Sequence, residues 1–233
     1  MFEVATIFQP GIAGTIARAS RRARLLSLDV LDHAAPIARR AVDIAIAGAA
    51  LAVVAPVLAA AAVAIKIDDP GPIMFEQTRI GRYGRPFKMR KLRTMHVDAE
   101  ARLAALAAKN ERAGGVTFKI KKDPRITRVG RILRKLSIDE LPQLYNVLEG
   151  SMTIFGPRPP LPREVAKYGP RERRRLEVTP GLTCFWQVEG RADLSFEQQV
   201  ELDLRYIDLS NVGDEIAILA KTIPAVLTGS GAY

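Results

Sequence analysis

Two adjacent carboxylates, Asp139 and Glu140, follow a row of arginines in the stretch from residue 123 to residue 160. The arginines recur at every third position and are Arg125, Arg128, Arg131 and Arg134. In a helix this spacing would place their guanidinium groups on one broad face, where they could bind an oxyanion. A carboxylate beside them could act as a nucleophile or as a metal ligand. The pattern therefore predicts phosphate chemistry.

The acid pair also fits a purely structural interpretation. Ser137 and Glu140 have the spacing of a capping box, in which a serine caps a helix and the glutamate binds back to the amide of the cap residue. Acidic residues in a first turn also stabilise the helix dipole. Both interpretations can hold together, because a helix N-terminus binds anions through its free N–H groups. The spacing therefore predicts a helix over residues 138–148 that carries the acid pair at its start.

A proline-rich turn carries a further arginine. In Gly156-Pro157-Arg158-Pro159-Pro160 the prolines restrict the backbone, which favours a loop that aims the side chain of Arg158. Two more segments follow, Thr179-Pro180-Gly181-Leu182-Thr183 and Trp186-Gln187-Val188-Glu189-Gly190-Arg191. The sequence has no glycine-rich loop of the Walker or dinucleotide type, so a nucleotide would have to be bound by arginines and a metal ion.

Five motifs, taken in their order along the chain, resemble those of a known family. They are Lys91-Leu92-Arg93-Thr94-Met95, Asp123-Pro124-Arg125-Ile126-Thr127, the segment from Leu133 to Gln143, Gly156-Pro157-Arg158-Pro159 and Lys221-Thr222-Ile223. The chain resembles the bacterial sugar transferases, monotopic phosphoglycosyl transferases that move a hexose 1-phosphate from a nucleotide sugar onto a polyprenyl phosphate. The resemblance extends from about Arg39 to the C-terminus. The family usually has Phe where Leu92 stands and Gly where Cys184 stands, which affects local packing more than reaction class.

The resemblance implies a mechanism and its site residues. Asp139 would attack the β-phosphorus of a UDP-sugar and release UMP, and undecaprenyl phosphate would then take the sugar phosphate from Asp139. Glu140 would bind Mg²⁺. The residues that would bind phosphate or substrate are Lys91, Arg93, Arg134, Gln143 and Arg158, with Asp203 as a weaker candidate. Each of these cations could instead be a surface or lipid-facing charge, as could the other arginines of the row.

The resemblance also implies a place in metabolism. The enzyme would catalyse the first membrane step in assembling a bacterial glycan, and its C-terminal segment is most similar to members that serve exopolysaccharide production. Galactose, glucose and N-acetylated sugars are all open as the transferred hexose. A homo-oligomer is open as well.

The net charge of +10 is concentrated between residues 66 and 135, whereas the region after residue 135 has a net negative charge. An excess of lysine and arginine indicates an anionic partner, which by composition alone could be a nucleotide, a lipid or a nucleic acid. A membrane-tethered nucleic-acid-binding protein and an inactive scaffold are therefore alternatives to an enzyme. The basic block has few aromatic residues for stacking and no helix-turn-helix pattern, so we expect no nucleic-acid partner. The single cysteine, Cys184, excludes an internal disulfide.

The apolar segment from residue 42 to residue 65 contains one acid, Asp43, and has Arg39-Arg40 and Lys66 as its basic flanks. As a helix it is long enough to cross a hydrocarbon core of roughly 30 Å. By the positive-inside rule, basic residues at both ends favour neither end for transfer across the membrane. Pro56 near the middle removes a helical hydrogen bond. The residues alone leave a spanning and a re-entrant helix open. The resemblance favours a re-entrant helix that is broken at Pro56.

Together these features predict an α+β, mainly helical fold. Residues 1–38 form a basic N-terminal segment, either a short amphipathic helix or a partly disordered tail. Residues 39–69 form the re-entrant membrane helix, and residues 70–233 a compact catalytic domain with a small β element and interfacial amphipathic helices. Strands are predicted at 73–78 and 86–93, and further helices at 99–108, 162–176, 195–207 and 216–227. The predicted location is the bacterial inner membrane, with the catalytic domain on its cytoplasmic face.

Overall fold

The chain is mainly helical with two small sheets, in a computed structural model that describes residues 12–103, 123–189, 194–209 and 212–228. The helices are α1 (Ile12–Asp68), α2 (Ala99–Leu103), α3 (Arg128–Lys135), α4 (Gln143–Glu149), α5 (Pro162–Val165), α6 (Pro170–Arg173), α7 (Phe185–Glu189), α8 (Phe196–Leu209) and α9 (Val212–Thr228). The strands are β1 (Met74–Ile80), β2 (Pro86–Leu92), β3 (Thr153–Phe155) and β4 (Gly181–Thr183). The predicted mainly helical α+β class is confirmed.

The chain is divided into two compact units, Met1–Val42 and Asp43–Tyr233. The first unit is helical from Ile12 onward, so the N-terminal segment contains a helix, and the residues before Ile12 lie outside the described part. The second unit holds the rest of α1, both sheets and the other helices. The part of the predicted 99–108 helix after Leu103 also lies outside the described residues.

Strands β1 and β2 form an antiparallel hairpin in which Met74 lies opposite Leu92 and Ile80 opposite Pro86. The connecting turn contains Tyr83 and Gly84 with positive φ angles of 55° and 77°. Positive φ angles of this kind are usual in a tight turn that contains glycine.

Strands β3 and β4 pair in parallel, with Thr153 opposite Gly181 and Phe155 opposite Thr183. Glycines at the pair allow a close approach, because a Cβ on Gly181 would lie 2.1 Å from the backbone nitrogen of Gly156. The sequence did not predict this sheet. Strands of only three residues, buried at nearly every position, show no alternation of apolar and polar residues.

From Asp43 onward α1 belongs to the second unit, and one face of it packs against other elements of that unit. Ala47 belongs to a buried cluster with residues of β2, β3, α4 and α7–α9, and Ala61 and Ile65 belong to a second cluster with Leu92 and Leu133. The opposite face is exposed and apolar, as at Val53 and Val63. The segment Pro36–Asp68 is long and apolar enough to cross a membrane by length and composition.

The helix continues through Pro56, and the bend expected at this residue stays a prediction. A proline removes one backbone hydrogen bond, and the remaining hydrogen bonds of a long helix can carry it through that position. The re-entrant topology itself stays a prediction.

Three predicted elements differ from the structure. The 138–148 helix is divided into a 3₁₀ turn, Ile138–Glu140, and α4, with Pro142 at the junction. The 162–176 helix is divided into α5, α6 and a further 3₁₀ turn, because Gly169 and Pro170 interrupt it. The capping box is wrong: Ser137 has a positive φ of 54° and its side chain caps nothing.

Candidate functional site

A cavity of about 1030 Å³ lies in the second unit and brings together most of the predicted site residues. Its lining includes apolar residues of α1 and charged residues of both signs. The charged residues that matter here are Arg79, Lys91, Arg93, Arg134, Asp139, Glu140 and Arg158. A concave site with convergent charged groups is the usual form of a small-molecule binding site.

The acid pair lies on the 3₁₀ turn Ile138–Glu140, which is held on both sides by packing. Ile138 packs against the cluster around Leu133, and Leu144 of α4 belongs to the other core cluster. The left-handed conformation of Ser137 turns the chain sharply after α3. The result is that Asp139 is buried, with 7% of its surface exposed.

Glu140 is bound by two cations. Lys91 Nζ donates to Glu140 Oε1 at 2.6 Å, and Arg158 Nη1 lies 3.5 Å from the same oxygen. Burial acts to raise the pKa of Glu140, but the charges of Lys91 and Arg158 outweigh it and hold that pKa well below its usual value. Burial also lowers the pKa of Lys91, and the charge of Glu140 opposes that change. Glu140 is therefore a fixed carboxylate.

Asp139 has a different environment from its neighbour. Burial and the adjacent charge of Glu140 raise its pKa to about 6, although Lys91 and Arg134 act to lower it. No donor in the described part of the chain makes a hydrogen bond to it. A carboxylate with a raised pKa and little solvation is ionised at neutral pH and available to react with a phosphorus atom.

Arg134 reaches the cavity from the last turn of α3. Thr127 caps this helix by accepting a hydrogen bond from the Gly130 amide at 2.9 Å. Gly130 lets the helix approach the chain after β2, since a Cβ there would lie 2.0 Å from the Thr94 carbonyl oxygen. Arg134 Nε then donates to Thr94 Oγ1 at 2.9 Å. This contact fixes the arginine within electrostatic range of Asp139.

Arg158 is presented by its proline frame, as the sequence predicted. Pro157 and Pro159 are fully buried, whereas about a third of the Arg158 side chain is exposed. The buried prolines fix the loop, and the partly exposed guanidinium points to Glu140.

Other predicted residues have partners elsewhere. Arg93 donates to Asp69 Oδ2 at 2.5 Å and to the Pro72 carbonyl at 2.6 Å, so it binds the hairpin to the end of α1 while lining the cavity. Arg125 forms a buried pair with Asp123. Gln143 is buried at the start of α4 and is not one of the residues around the cavity.

The row of arginines does not form one binding face. Arg128 and Arg131 are exposed in α3, whereas Arg125 and Arg134 line the cavity. The row begins before the helix does, because Thr127 starts α3 after Arg125.

Asp203 forms a buried pair with Arg175, whose Nε lies 2.8 Å from Asp203 Oδ2. Arg175 also donates to the Tyr168 hydroxyl at 2.7 Å. Burial raises the pKa of Asp203 to about 6. These contacts hold α8 against the turn that follows α6, which is a structural role.

Arg79 is a cavity residue that the sequence reasoning missed. It is buried in β1 and donates to the Pro159 carbonyl at 2.9 Å and to Gln77 Oε1 at 2.7 Å, while its Nε has no partner in the described residues. Burial lowers its pKa to about 10, so it stays charged. Arg79 lies just after the predicted strand at 73–78, in a segment without a recognised motif, and therefore gave no signal in the sequence.

The donor set is compatible with Mg²⁺, the predicted cofactor. The described residues contain no group of three or more histidine, cysteine or acidic side chains placed to hold a metal. Mg²⁺ in phosphate sites is commonly bound by one or two carboxylates together with substrate phosphates. Glu140, the predicted ligand, lies on the cavity wall and fits that arrangement.

Known proteins are similar to this chain over most of its length. The family model for bacterial sugar transferases matches residues 34–229. Galactosyl transferase CpsE of Streptococcus agalactiae is 46% identical over 165 residues, 70% of this chain and 36% of that protein. The exopolysaccharide production protein ExoY of Sinorhizobium fredii is 38% identical over 200 residues, 84% of this chain and 88% of ExoY.

A third relative carries its substrates in its name. The UDP-glucose:undecaprenyl-phosphate glucose-1-phosphate transferase of Caulobacter vibrioides is 38% identical over 208 residues, 86% of this chain and 73% of that protein. The chain thus spans most of two of these relatives and about a third of CpsE. The family match covers the acid pair, the cationic cavity and the apolar segment. The chain belongs to the bacterial sugar transferase family.

Proposed function

We propose that this protein transfers a hexose 1-phosphate from a UDP-sugar to undecaprenyl phosphate, as a membrane step of exopolysaccharide assembly. The names of its relatives support the substrates and the pathway. The single observation that carries the chemistry is the buried carboxylate of Asp139, poised among Lys91, Arg134 and Arg158 in one cavity.

The cations of the cavity bind the diphosphate of the donor. Arg134 and Arg158 present guanidinium groups, which suit phosphate oxygens because they donate two parallel hydrogen bonds. Lys91 neutralises Glu140 in the free protein. The cavity thereby offsets the negative charge of a diphosphate, while the carboxylate of Asp139 keeps no hydrogen-bond donor among the described residues and can react.

In the first step a carboxylate oxygen of Asp139 attacks the β-phosphorus of the donor. A new phosphorus–oxygen bond forms, the bond to the bridging oxygen breaks, and UMP leaves with that electron pair. The hexose phosphate stays on Asp139 as an acyl phosphate. The arginines stabilise the charge that develops on the phosphoryl oxygens.

In the second step a phosphate oxygen of undecaprenyl phosphate attacks the same phosphorus. The bond to Asp139 breaks, the carboxylate is regenerated and undecaprenyl diphosphate hexose leaves. Covalent transfer suits substrates of this kind because the soluble donor and the lipid acceptor need not be bound together.

Glu140 would hold Mg²⁺ together with the phosphates of the donor. When bound, this ion neutralises charge on the diphosphate oxygens. The carboxylate of Glu140 stays ionised over the working pH range, because its pKa is held low by its two cations.

The exposed apolar face of α1 is the lipid contact of the enzyme. We place its apolar segment as a re-entrant helix in the bacterial inner membrane, with the cavity on the cytoplasmic side, where nucleotide sugars are made. Both flanks of the segment are basic, which favours their staying on the cytoplasmic side.

A nucleic-acid-binding role is not supported by a specific observation. The basic block between residues 66 and 135 directs several of its cations inward. Arg79, Lys91, Arg93 and Arg134 line the cavity and are at least half buried. They therefore do not present an outward surface to a phosphate backbone.

The test measures UMP release by detergent-solubilised protein from UDP-galactose, UDP-glucose and UDP-N-acetylhexoses. We expect one UMP per protein with the correct donor and Mg²⁺ alone, and turnover only when undecaprenyl phosphate is added. Mass spectrometry should find the hexose phosphate on the peptide that contains Asp139.

Asp139→Asn should reduce UMP release at least about a hundredfold and should remove the hexose phosphate adduct. Asp98→Asn, at an exposed acid outside the cavity, is the matched control and should keep full activity. Folded wild-type protein that releases UMP from no donor would contradict the proposal.

A further inference from the structure

The acid inside the apolar segment of α1 is neither exposed nor unpaired. Asp43 has 7% of its surface exposed. Its Oδ2 accepts a hydrogen bond from Thr153 Oγ1 at 2.6 Å, and its Oδ1 accepts one from the Ile154 amide at 3.0 Å. Both donors belong to β3, so this carboxylate connects the apolar helix to a strand of the second unit.

Strand β3 is fixed at each point beyond that contact. The Tyr206 hydroxyl donates to the Phe155 carbonyl at 2.9 Å, and the Gly156 amide donates to the Thr183 carbonyl at 3.0 Å. The backbone at Gly156 lies close to its neighbour, since a Cβ there would be only 2.8 Å from the Thr179 carbonyl oxygen. The chain from Ile154 to the next loop is therefore connected by hydrogen bonds to its neighbours on both sides.

The loop that follows β3 carries Arg158. Pro157 accepts a hydrogen bond from the Gly181 amide at 2.9 Å, and Pro159 accepts one from Arg79 Nη1 at 2.9 Å. The backbone on each side of Arg158 is thus fixed, and its side chain reaches Glu140. A displacement of β3 would be passed to this arginine rather than absorbed by the loop.

We propose that Asp43 is a positioning residue for the transferase site, which holds β3 and through it sets Arg158 against the donor phosphates. The proposal rests on the proposed function. Its physical basis is that the buried carboxylate of Asp43 accepts two hydrogen bonds from β3. Removing this carboxylate leaves the Thr153 hydroxyl and the Ile154 amide without an acceptor. The same helix presents its other face to lipid, so the lipid contact is coupled to the arginine that binds the donor.

Three variants separate positioning from stability. Asp43→Leu keeps the branched shape of the side chain, with a larger volume, and removes both acceptor oxygens. Asp43→Asn keeps an acceptor for Ile154 and can donate to Thr153, and Thr153→Val removes one of the two bonds. Val200→Ala is the matched control, because it weakens the core at a buried α8 residue outside both clusters that contact α1.

The kinetic readout is the KM for each substrate. For Asp43→Leu we expect the donor KM to rise about five- to tenfold, as for Arg158→Gln, with the undecaprenyl phosphate KM unchanged. Thr153→Val should show a smaller rise, and Asp43→Asn should stay within about twofold of the wild type. A structural defect alone, as in Val200→Ala, reduces the active fraction and leaves both KM values unchanged. A donor KM in Asp43→Leu equal to that of the wild type would overturn the proposal.

Hydrogen exchange tests the tie without any activity. Peptides that cover residues 153–160 should exchange faster in Asp43→Leu, and other core peptides should not. Exchange that rises evenly across the protein, or nowhere, would count against the proposal. Failure of the wild type to release UMP would instead count against the proposed function, while the exchange result would still decide whether Asp43 holds β3. If Asp43→Leu does not fold, the same two readouts are taken from Thr153→Val.

Discussion

Two neighbouring carboxylates on one short turn are held in different states. Glu140 is paired with Lys91 and Arg158, whereas Asp139 has no hydrogen-bond donor in the described residues and is buried beside a like charge. Electrostatics thereby assign different tasks to identical functional groups. A buried and poorly compensated carboxylate is a stability cost that an active site retains for its reactivity.

That cost predicts how Asp139→Asn affects stability. The folded-state pKa of Asp139 is raised from 3.8 to about 6, so its ionised form destabilises the fold above about pH 6, and this penalty is lost as the pH falls from 6 to 4. In metal-free buffer at pH 8 the variant should therefore be more stable by about 1–3 kcal/mol. The gain should largely disappear at pH 4.5. Denaturation in detergent at both pH values measures it, and a variant less stable than the wild type at pH 8 would show that the carboxylate is not held at a cost.

A second prediction for a single residue concerns Arg79. It supports the Arg158 loop through the Pro159 carbonyl and adds positive charge near Glu140. Arg79→Gln should raise the donor KM about tenfold and destabilise the protein by about 1–3 kcal/mol, because the buried carbonyl loses its donor. Arg85→Gln, in the exposed turn of the same hairpin, is the control and should change neither. Equal KM values for the wild type and Arg79→Gln would exclude the supporting role.

The elements around the site explain which parts of it the sequence could predict. The hairpin was predictable because two extended runs flank a turn with two glycines, and the aim of Arg158 followed from its prolines. The division of the 138–148 helix was not. Ser137 has the spacing of a helix cap, but the side chain of Glu140 accepts a hydrogen bond from Lys91 and does not bind back to the Ser137 amide. A tertiary ion pair thus replaces the local capping interaction.

Other parts of the site depend on contacts between distant segments. Arg79 and Asp43 are joined to the Arg158 region through contacts more than 75 residues apart in sequence, which no local pattern encodes. The two very short strands β3 and β4 are likewise defined by their pairing. The motifs therefore predicted most of the charged residues that meet in the cavity, while the structure identifies the contacts that hold them.

A pair of helix-cap substitutions tests the correction at Ser137. Thr127→Ala removes a side-chain cap that accepts the Gly130 amide and should cost about 1 kcal/mol. Ser137→Ala removes a side chain that caps nothing, so it should cost less than about 0.5 kcal/mol. Urea denaturation of both variants in the same detergent gives the comparison. Equal losses would restore the capping-box interpretation of Ser137 and Glu140.

At the scale of the whole molecule, α1 has two different faces from Asp43 to its end. Ala47 and Ala61 are buried against other elements of the second unit, whereas Val53 and Val63 are 75% and 61% exposed. Contacts with the same unit therefore occur near both ends of the apolar segment. A unit with a charged cavity and a charged surface cannot follow a helix across a hydrocarbon core, because burying those charges in lipid is costly.

This argument predicts the accessibility of the two ends of the segment. Ile37→Cys and Ile67→Cys, each made in a Cys184→Ala background, place single thiols at exposed positions beyond the basic flanks. In spheroplasts neither thiol should react with a membrane-impermeant maleimide, and in inverted membrane vesicles both should react, because a re-entrant helix leaves both ends on the cytoplasmic side. A spanning helix would instead make Ile37→Cys reactive in spheroplasts and unreactive in inverted vesicles. The unsubstituted protein, which keeps Cys184, is the control for background labelling. Cys184 is buried, and burial raises the pKa of its thiol well above the usual value. The unsubstituted protein should therefore react in neither preparation.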